Sequence, residues 1–226
     1  MPEGRYHLLV FDWDGTLADS LGHIVAAMDA AINEAGLEPR RERELLDVIG
    51  LGLEQAFAQL YPQHSASETA GLAAAYRRHY RYLADAPVTL FPGVSEVITA
   101  LHTGGYRLAV ATGKSRRGLD RALTQSGLGP YFHASRCSDE TFSKPHPQML
   151  IEIMERVGVP PEQTVMVGDS HHDLEMANNA GVAPVAVNYG AQPARRLLEF
   201  NPIASIHDFA ELAVWLGNCT PMGAKS

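Results

Sequence analysis

Leu8-Leu9-Val10-Phe11-Asp12-Trp13-Asp14-Gly15-Thr16-Leu17-Ala18-Asp19-Ser20 is the stretch that decides how this chain is read. The apolar run Leu8 to Phe11 stops abruptly at two aspartates one residue apart, the pattern of a buried parallel strand ended by turn residues. Strand side chains alternate between faces, so Asp12 and Asp14 can face one site if the strand end stays extended. Two carboxylates that close repel, and must be solvated, protonated or bound to a cation. Gly15 and Thr16 then let the chain turn. Plain turn chemistry would give the same residues. A calcium loop would not, because its sixth position needs Gly and its twelfth Glu. Counted from Asp12, those positions hold Leu17 and His23.

Working outward, 226 residues suffice for one substantial core, or for a core with a smaller second unit. A formal net charge of −8 argues against a broad nucleic-acid footprint. A small anionic substrate remains compatible with it, since a metal or local cations outweigh the global charge near a site. The two cysteines, Cys137 and Cys219, lack metal-ligand spacing. The first residues lack the apolar segment of a signal peptide, and no run approaches membrane-spanning length. The expectation is a cytoplasmic protein, monomer or homodimer, with neither nucleic acid nor membrane as partner.

From Asp19 to Pro87 the pattern is helical throughout. Asp19 or Ser20 can cap a helix to about Gly36, with Leu21, Ile24, Val25, Met28 and Ile32 on one face. Further helical patterns cover roughly Leu45 to Ile49, Leu53 to Tyr61 and Ser67 to Asp85. Pro87 and Phe91-Pro92-Gly93 bring the chain back. Helices and strands then alternate: a helix over Val94 to Thr103 and a strand over Tyr106 to Thr112. A helix opened by Gly113-Lys114-Ser115 runs to Gly127, and a short strand lies near Phe132 to Cys137. A helix over Pro147 to Val157 leads to a buried strand over Thr164 to Val167 that ends at Gly168-Asp169. A helix over His172 to Ala180 and a strand over Val182 to Val187 follow. Alternation of this kind implies right-handed crossovers and a mainly parallel sheet. The fold class is therefore α/β: a Rossmann-like, mainly parallel core over residues 1–18 and 88–226, with an inserted helical cap over 19–87.

Ligands of open α/β sheets bind at the carboxyl ends of the strands. Asp12 with Asp14, Thr112, Lys144, and Asp169 with Asp173 would converge there. Each has a bland alternative: Thr112 as a helix cap, Lys144 as a solvated lysine, Asp169-Ser170 as a cap and Asp173 as a first-turn acid. Yet the chain has only three lysines, Lys114, Lys144 and Lys225, and two fall at strand-to-helix transitions. Pro145 and Pro147 stiffen the segment behind Lys144. Together these parts suit phosphoryl transfer. A carboxylate can form an aspartyl phosphate, and a second can move protons. Mg²⁺ prefers carboxylate and phosphate oxygens. A hydroxyl, an ammonium and backbone N–H groups can hold phosphoryl oxygens.

Asp12-x-Asp14-Gly15-Thr16, Thr112 after a strand, Lys144-Pro145 and Gly168-Asp169-Ser170-x-x-Asp173 resemble the signature of the haloacid dehalogenase-like superfamily of phosphatases, over about Leu8 to Gly190. The helical insertion, Gly50-Leu51-Gly52-Leu53, Phe91-Pro92-Gly93-Val94 and Met176-Ala177-x-x-Ala180-Gly181 are similar to the subgroup that includes phosphoglycolate phosphatase. The resemblance implies Asp12 as nucleophile and Asp14 as general acid and base with its backbone carbonyl on the metal. It implies Thr112, Gly113 and Lys144 around the phosphoryl group. Asp169 would ligate Mg²⁺, and Asp173 would ligate it through water or steady Lys144. Gly113 stands where asparagine is common, and Arg136-Cys137-Ser138 where a Gly-rich stretch often precedes an aspartate.

The implied substrate is a small phosphorylated metabolite, a phosphomonoester with 2-phosphoglycolate as leading candidate. A sugar-phosphate phosphatase or phosphomutase shares the core residues. A dehalogenase has no use for Asp14, and a phosphonatase needs a cap lysine that 19–87 lacks. A receiver domain is shorter, lacks the insertion and keeps its acidic pair apart from its acceptor; a non-catalytic phospho-ligand binder is the other class. In the cap, Gly50, Leu51 and Gly52 can approach a ligand closely. Arg77 and Arg81, one turn apart, could clamp a carboxylate or simply form a solvated face. His171 and His172 are adjacent on a helix and should diverge, as first-turn surface residues.

Overall fold

The computed structural model describes residues 5–83 and 88–218. Asp85, Pro87, Cys219 and Lys225 lie outside them. β1 (Leu8–Phe11) is followed by four helices, α1 (Leu21–Glu34), α2 (Glu42–Asp47), α3 (Leu53–Leu60) and α4 (Ala66–Leu83). The alternating part begins with α5 (Val94–Thr103), β2 (Arg107–Thr112), α6 (Arg116–Ser126), β3 (Ala134–Cys137) and α7 (Gln148–Val157). It continues through β4 (Thr164–Gly168), α8 (His171–Asn179), β5 (Ala183–Val187), α9 (Ala194–Leu197), β6 (Ala204–Ile206) and α10 (Glu211–Asn218). The expected α/β class is what the chain adopts.

The sheet has six parallel strands in the order β3-β2-β1-β4-β5-β6. β1 is central because all four of its residues are buried on both faces. Leu9 and Phe11 pack with Leu108, Val110, Val165 and Val167 under α5, α6 and α10. Leu8 and Val10 pack with Ala109, Ala111 and Met166 under α7 and α8. This alternation answers the continuous apolar run in the sequence. The strand order reverses at β1 and β4, where Phe11 pairs with Val167, so the aspartates that follow these strands meet at the topological switch point.

Helices α1 to α4 bury a separate apolar cluster, with Met28, Ile32, Leu45, Phe57 and Tyr61 at its centre. The helix expected over Leu45 to Ile49 instead spans Glu42–Asp47. Glu44 accepts the Arg41 backbone N–H at 3.0 Å, so the turn is nucleated upstream of the apolar residues. Leu45, Val48 and Ile49 are buried nonetheless, and this burial gave the sequence pattern. Sequence reading passed over β6, α9 and α10, whose short segments show no sustained period.

At the ends of β4 and β1, glycine is required for room. A Cβ on Gly168 would lie 2.4 Å from Asp173 Cβ and 2.5 Å from its Cγ. We expect Gly168→Ala to cost at least ~1–3 kcal/mol, the usual penalty of overpacking. Urea midpoints against the wild-type chain measure it; an unchanged midpoint would show slack that this packing does not have.

Candidate active site

Asp12 follows β1, and its backbone N–H still donates to Val167 O at 3.0 Å, so the strand pairing aims it over the sheet edge. Its Oδ1 accepts from Lys144 Nζ at 2.8 Å. The same ammonium donates to Asp173 Oδ1 at 2.6 Å. Lys144 is fully buried, which removes the solvated-lysine alternative. Asp173 closes a capping box at the start of α8, where its Oδ2 accepts from Ser170 Oγ at 2.6 Å and Ser170 N at 3.2 Å. Asp169 follows β4. Its Oδ1 accepts from Thr16 Oγ1 at 3.0 Å and its Oδ2 from the Ala191 N–H at 2.7 Å. Gly15 and Gly190 leave the space for that carboxylate: a Cβ on either would come within 2.2 Å of an Asp169 side-chain atom.

Asp12, Asp169 and Asp173 offer carboxylate oxygens within 4.8 Å of one another, and all three are buried. Among the described residues, only Lys144 pairs directly with any of these three acids. Burial pushes the Asp12 carboxyl well up, against the pull of Lys144 and with Asp173 and Asp169 adding to the rise. Burial and then Asp173 push Asp169 up to about 7, against its bonds from Ala191 and Thr16. Lys144 is held protonated despite burial, because Asp12 and Asp173 outweigh the desolvation. An all-oxygen, anionic, water-poor cluster with surplus negative charge fits a hard divalent cation.

Asp14 belongs to a different set of partners. Its Oδ1 pairs with Lys114 Nζ at 2.9 Å and accepts from Ser20 Oγ at 2.5 Å. Its carboxylate is not among the three clustered ones. Ser20 stands at the N-cap position of α1 but turns its hydroxyl to Asp14, so the helix end goes without the expected side-chain cap. Lys114 also reaches Tyr80 Oη of α4 at 3.4 Å, linking the sheet edge to the helical insertion. Thr112 is buried at the end of β2, and its Oγ1 accepts the Lys114 N–H at 3.2 Å.

The Gly50-Leu51-Gly52 loop lies against this edge. A Cβ on Gly113 would come within 2.5 Å of Leu51 O and 2.6 Å of Gly50 O. Gly52 N donates to Ser143 Oγ at 2.7 Å. Gly50 has φ +103°, which a side chain would strain, and faces Ser170 and His172. His172 corrects the surface reading: it is buried, and its Nε2 lies 2.9 Å from Asp47 O. Burial, then His171, lowers it to about 4, so it stays neutral and its Nε2–H donates. The two imidazoles do not diverge; their centroids are 3.8 Å apart. Arg77 and Arg81 line the cavity above the edge. Arg77 lies 3.7 Å from Glu54, both exposed, and Arg81 donates to the Arg77 carbonyl at 3.2 Å.

Sequence reading therefore brought Asp12, Lys144, Asp169 and Asp173 together; it missed Thr16 and the Ala191 N–H as partners of Asp169, Lys114 and Ser20 as partners of Asp14, and Tyr80 as the partner of Lys114. The scarcity of lysine was the one available signal for Lys114. Among the described residues, no helix is long and apolar enough to cross a membrane.

Residues 9–187 match the family model described as haloacid dehalogenase-like hydrolase. "Probable phosphatase IndB" of Dickeya dadantii is 36% identical over 210 residues, covering 91% of each chain. A phosphoglycolate phosphatase of Agrobacterium fabrum is 32% identical, over 91% of this chain and 90% of its own. A solved haloacid dehalogenase-like hydrolase of Bacteroides fragilis superposes with a TM-score of 0.86 at 25% identity, over 92% of this chain and 99% of its own.

Asp169 gives a signed pH expectation. Without metal, its proton is held in the fold up to about pH 7 but lost near 3.8 in the unfolded chain. The folded state binds more protons in that window, so this group's stabilisation falls as pH rises from about 4 to about 7. The melting temperature of metal-free protein should fall more across that range than that of Asp169→Asn. Equal slopes would sink this account of Asp169.

Proposed function

The chain belongs to the haloacid dehalogenase-like hydrolase family, and from that membership and the strand-end geometry we propose a Mg²⁺-dependent phosphatase that hydrolyses phosphomonoesters through an aspartyl phosphate. One observation carries the reading. Two aspartates one residue apart hold separate partners: Asp12 sits with Lys144 in the acidic cluster, and Asp14 sits with Lys114 and Ser20 beside it. Such separation suits two different jobs.

In this mechanism Asp12 attacks the phosphorus, and the bond from phosphorus to the leaving oxygen breaks. Asp14, entering this step protonated, gives its proton to that oxygen and is left as the carboxylate that pairs with Lys114. Water then attacks the phosphorus of the aspartyl phosphate, Asp14 takes the water's proton, and phosphate and the Asp12 carboxylate are released. Thr112 Oγ1, the Gly113 N–H and Lys144 hold phosphoryl oxygens. Lys114 and Ser20 keep the Asp14 carboxylate in place. Asp12, Asp169 and the Asp14 backbone carbonyl would hold Mg²⁺, with Asp173 acting through water or through Lys144. When bound, the ion supplies positive charge that lets an anionic nucleophile meet an anionic phosphoryl group. The helical insertion over 19–87 serves as a lid that limits water at the first step and opens for release.

The chemistry requires only a phosphomonoester, and the cations on the cavity wall favour one that carries a further anion. 2-Phosphoglycolate is such a molecule, and the name of the Agrobacterium relative supports it. Arg77 and Arg81 are cations of the insertion on the cavity wall that could meet the second charge.

Asp12→Asn should release no measurable phosphate from 2-phosphoglycolate or p-nitrophenyl phosphate. Asp14→Asn should lose ~10²–10⁴-fold in kcat, the span of general acid-base catalysis. Phosphate release by both purified variants decides this, and wild-type rates with Asp12→Asn would overturn the mechanism. Full chelation should stop turnover and Mg²⁺ should restore it. Ca²⁺ should not, because its larger, looser shell misplaces the carboxylates; activity surviving chelation would remove the metal from the reaction.

A further inference from the structure

The cavity between the sheet edge and the helical insertion measures about 740 Å³. It has this volume with the insertion already docked: the Gly50 to Gly52 loop meets Gly113 and Ser143, His172 meets Asp47, and Tyr80 meets Lys114. Its volume is therefore not that of a lifted lid. Sites of roughly 300–1,000 Å³ enclose drug-sized ligands. 2-Phosphoglycolate supplies two charges and would leave most of the space between them unfilled.

The walls differ in character. The floor is the charged strand edge at Asp12 and Asp14. The wall toward the insertion is apolar and aromatic, with Ile24, Leu53, Tyr76 and Tyr80. The Tyr76 and Tyr80 rings stack on one another with centroids 5.5 Å apart and planes 21° from parallel, and both line the cavity, so one turn of α4 gives its wall an aromatic strip. Burial holds the Tyr76 hydroxyl neutral. Arg77 and Arg81 of α4 and Arg117 and Arg121 of α6 also line the cavity. Arg117 and Arg121 make no ion pair among the described residues, in a chain of net charge −8. Arginines of α4 and α6 thus put cations on the cavity wall beyond those already paired with the strand-end carboxylates, although Glu54 beside Arg77 lines it too, and such cations favour an anion there.

Resting on the phosphatase reading above, we propose that this cavity is a leaving-group subsite for a phosphomonoester whose alcohol carries a planar ring and, at the far end, an anionic group. The ring lies against Tyr76 and Tyr80, and the anion meets the arginines. Aromatic pairing adds attraction beyond area burial, and guanidinium groups bind carboxylate or phosphate by paired N–H donors.

Four alkyl phosphates with similar leaving groups test this: ethyl phosphate, benzyl phosphate, 4-carboxybenzyl phosphate and 2-phosphoglycolate. We expect kcat/KM for benzyl phosphate to exceed that for ethyl phosphate at least tenfold. 4-Carboxybenzyl phosphate should exceed both benzyl phosphate and 2-phosphoglycolate, the latter at least tenfold. Tyr76→Leu should shrink the benzyl-to-ethyl ratio. Arg121→Gln, at an exposed position that should fold normally, should lower the advantage of the carboxylate and keep the benzyl-to-ethyl ratio, and the double variant Arg117→Gln with Arg121→Gln should lower it further. A benzyl-to-ethyl ratio below tenfold, or 2-phosphoglycolate as the best of the four, overturns the ring subsite and leaves the phosphatase standing. An Arg121→Gln loss equal for benzyl and 4-carboxybenzyl phosphates overturns the anion site. Phosphate release from none of the four overturns the phosphatase reading itself.

Discussion

A single ammonium with no solvent contact, Lys144, holds the sheet edge together. It bonds Asp12 at the end of β1 and Asp173 in the first turn of α8, at 2.8 and 2.6 Å. Breaking one side of such a buried pair costs about 3–5 kcal/mol, because the charge left behind has no water to turn to. The pairing therefore fixes three distant parts of the chain against one another. It also leaves three acids to one ammonium, since Asp169 stands by with neutral donors from Thr16 and Ala191, and the pressure to keep protons there follows from that excess. That imbalance is unfavourable in a dry interior unless a cation completes it.

The second ammonium, Lys114, separates the two aspartates that open the chain's first turn. Had both faced Lys144, they would share one environment and one chemistry. Instead Asp14 leans away from the cluster toward Lys114 and Ser20, and Lys114 extends to Tyr80 of the insertion. The position of Asp14 is thus tied to the docking of the helices above it. On the proposed reading, movement of these helices would shift the Asp14 carboxylate as well as change the access of water.

The fold was legible where burial is one-sided or complete over a whole element. β1, β2, β4 and β5 are continuous apolar runs, and α6 opens at Ser115 and ends at Gly127 as their cap residues indicate. β6 was not, because three residues, Ala204 to Ile206, carry no period. The cluster at the edge was legible because strand ends converge by topology alone. Its neutral donors were not: Thr16 and Ala191 find Asp169 through tertiary packing, across 153 and 22 residues of chain. His172 escaped for the same reason. Helical spacing placed it at the surface of α8, but α2 and the Gly50 loop cover that surface, and no local pattern encodes what a neighbouring element covers.

Glycine at this edge acts mainly by what it leaves out. Gly15 was legible as a turn residue, and its φ of +80° agrees. Yet a Cβ there would sit 2.2 Å from Asp169 Oδ2, and one on Gly190 would sit 2.2 Å from Asp169 Cβ. Gly168 does the same for Asp173, and Gly113 for the carbonyls of Gly50 and Leu51. Each missing methyl is occupied by a carboxylate or a backbone oxygen. Acids can gather this densely at the ends of parallel strands only if the backbone beside them yields its side-chain volume. The glycines that read as turns therefore set how close the carboxylates stand, and so how strongly they favour a cation between them.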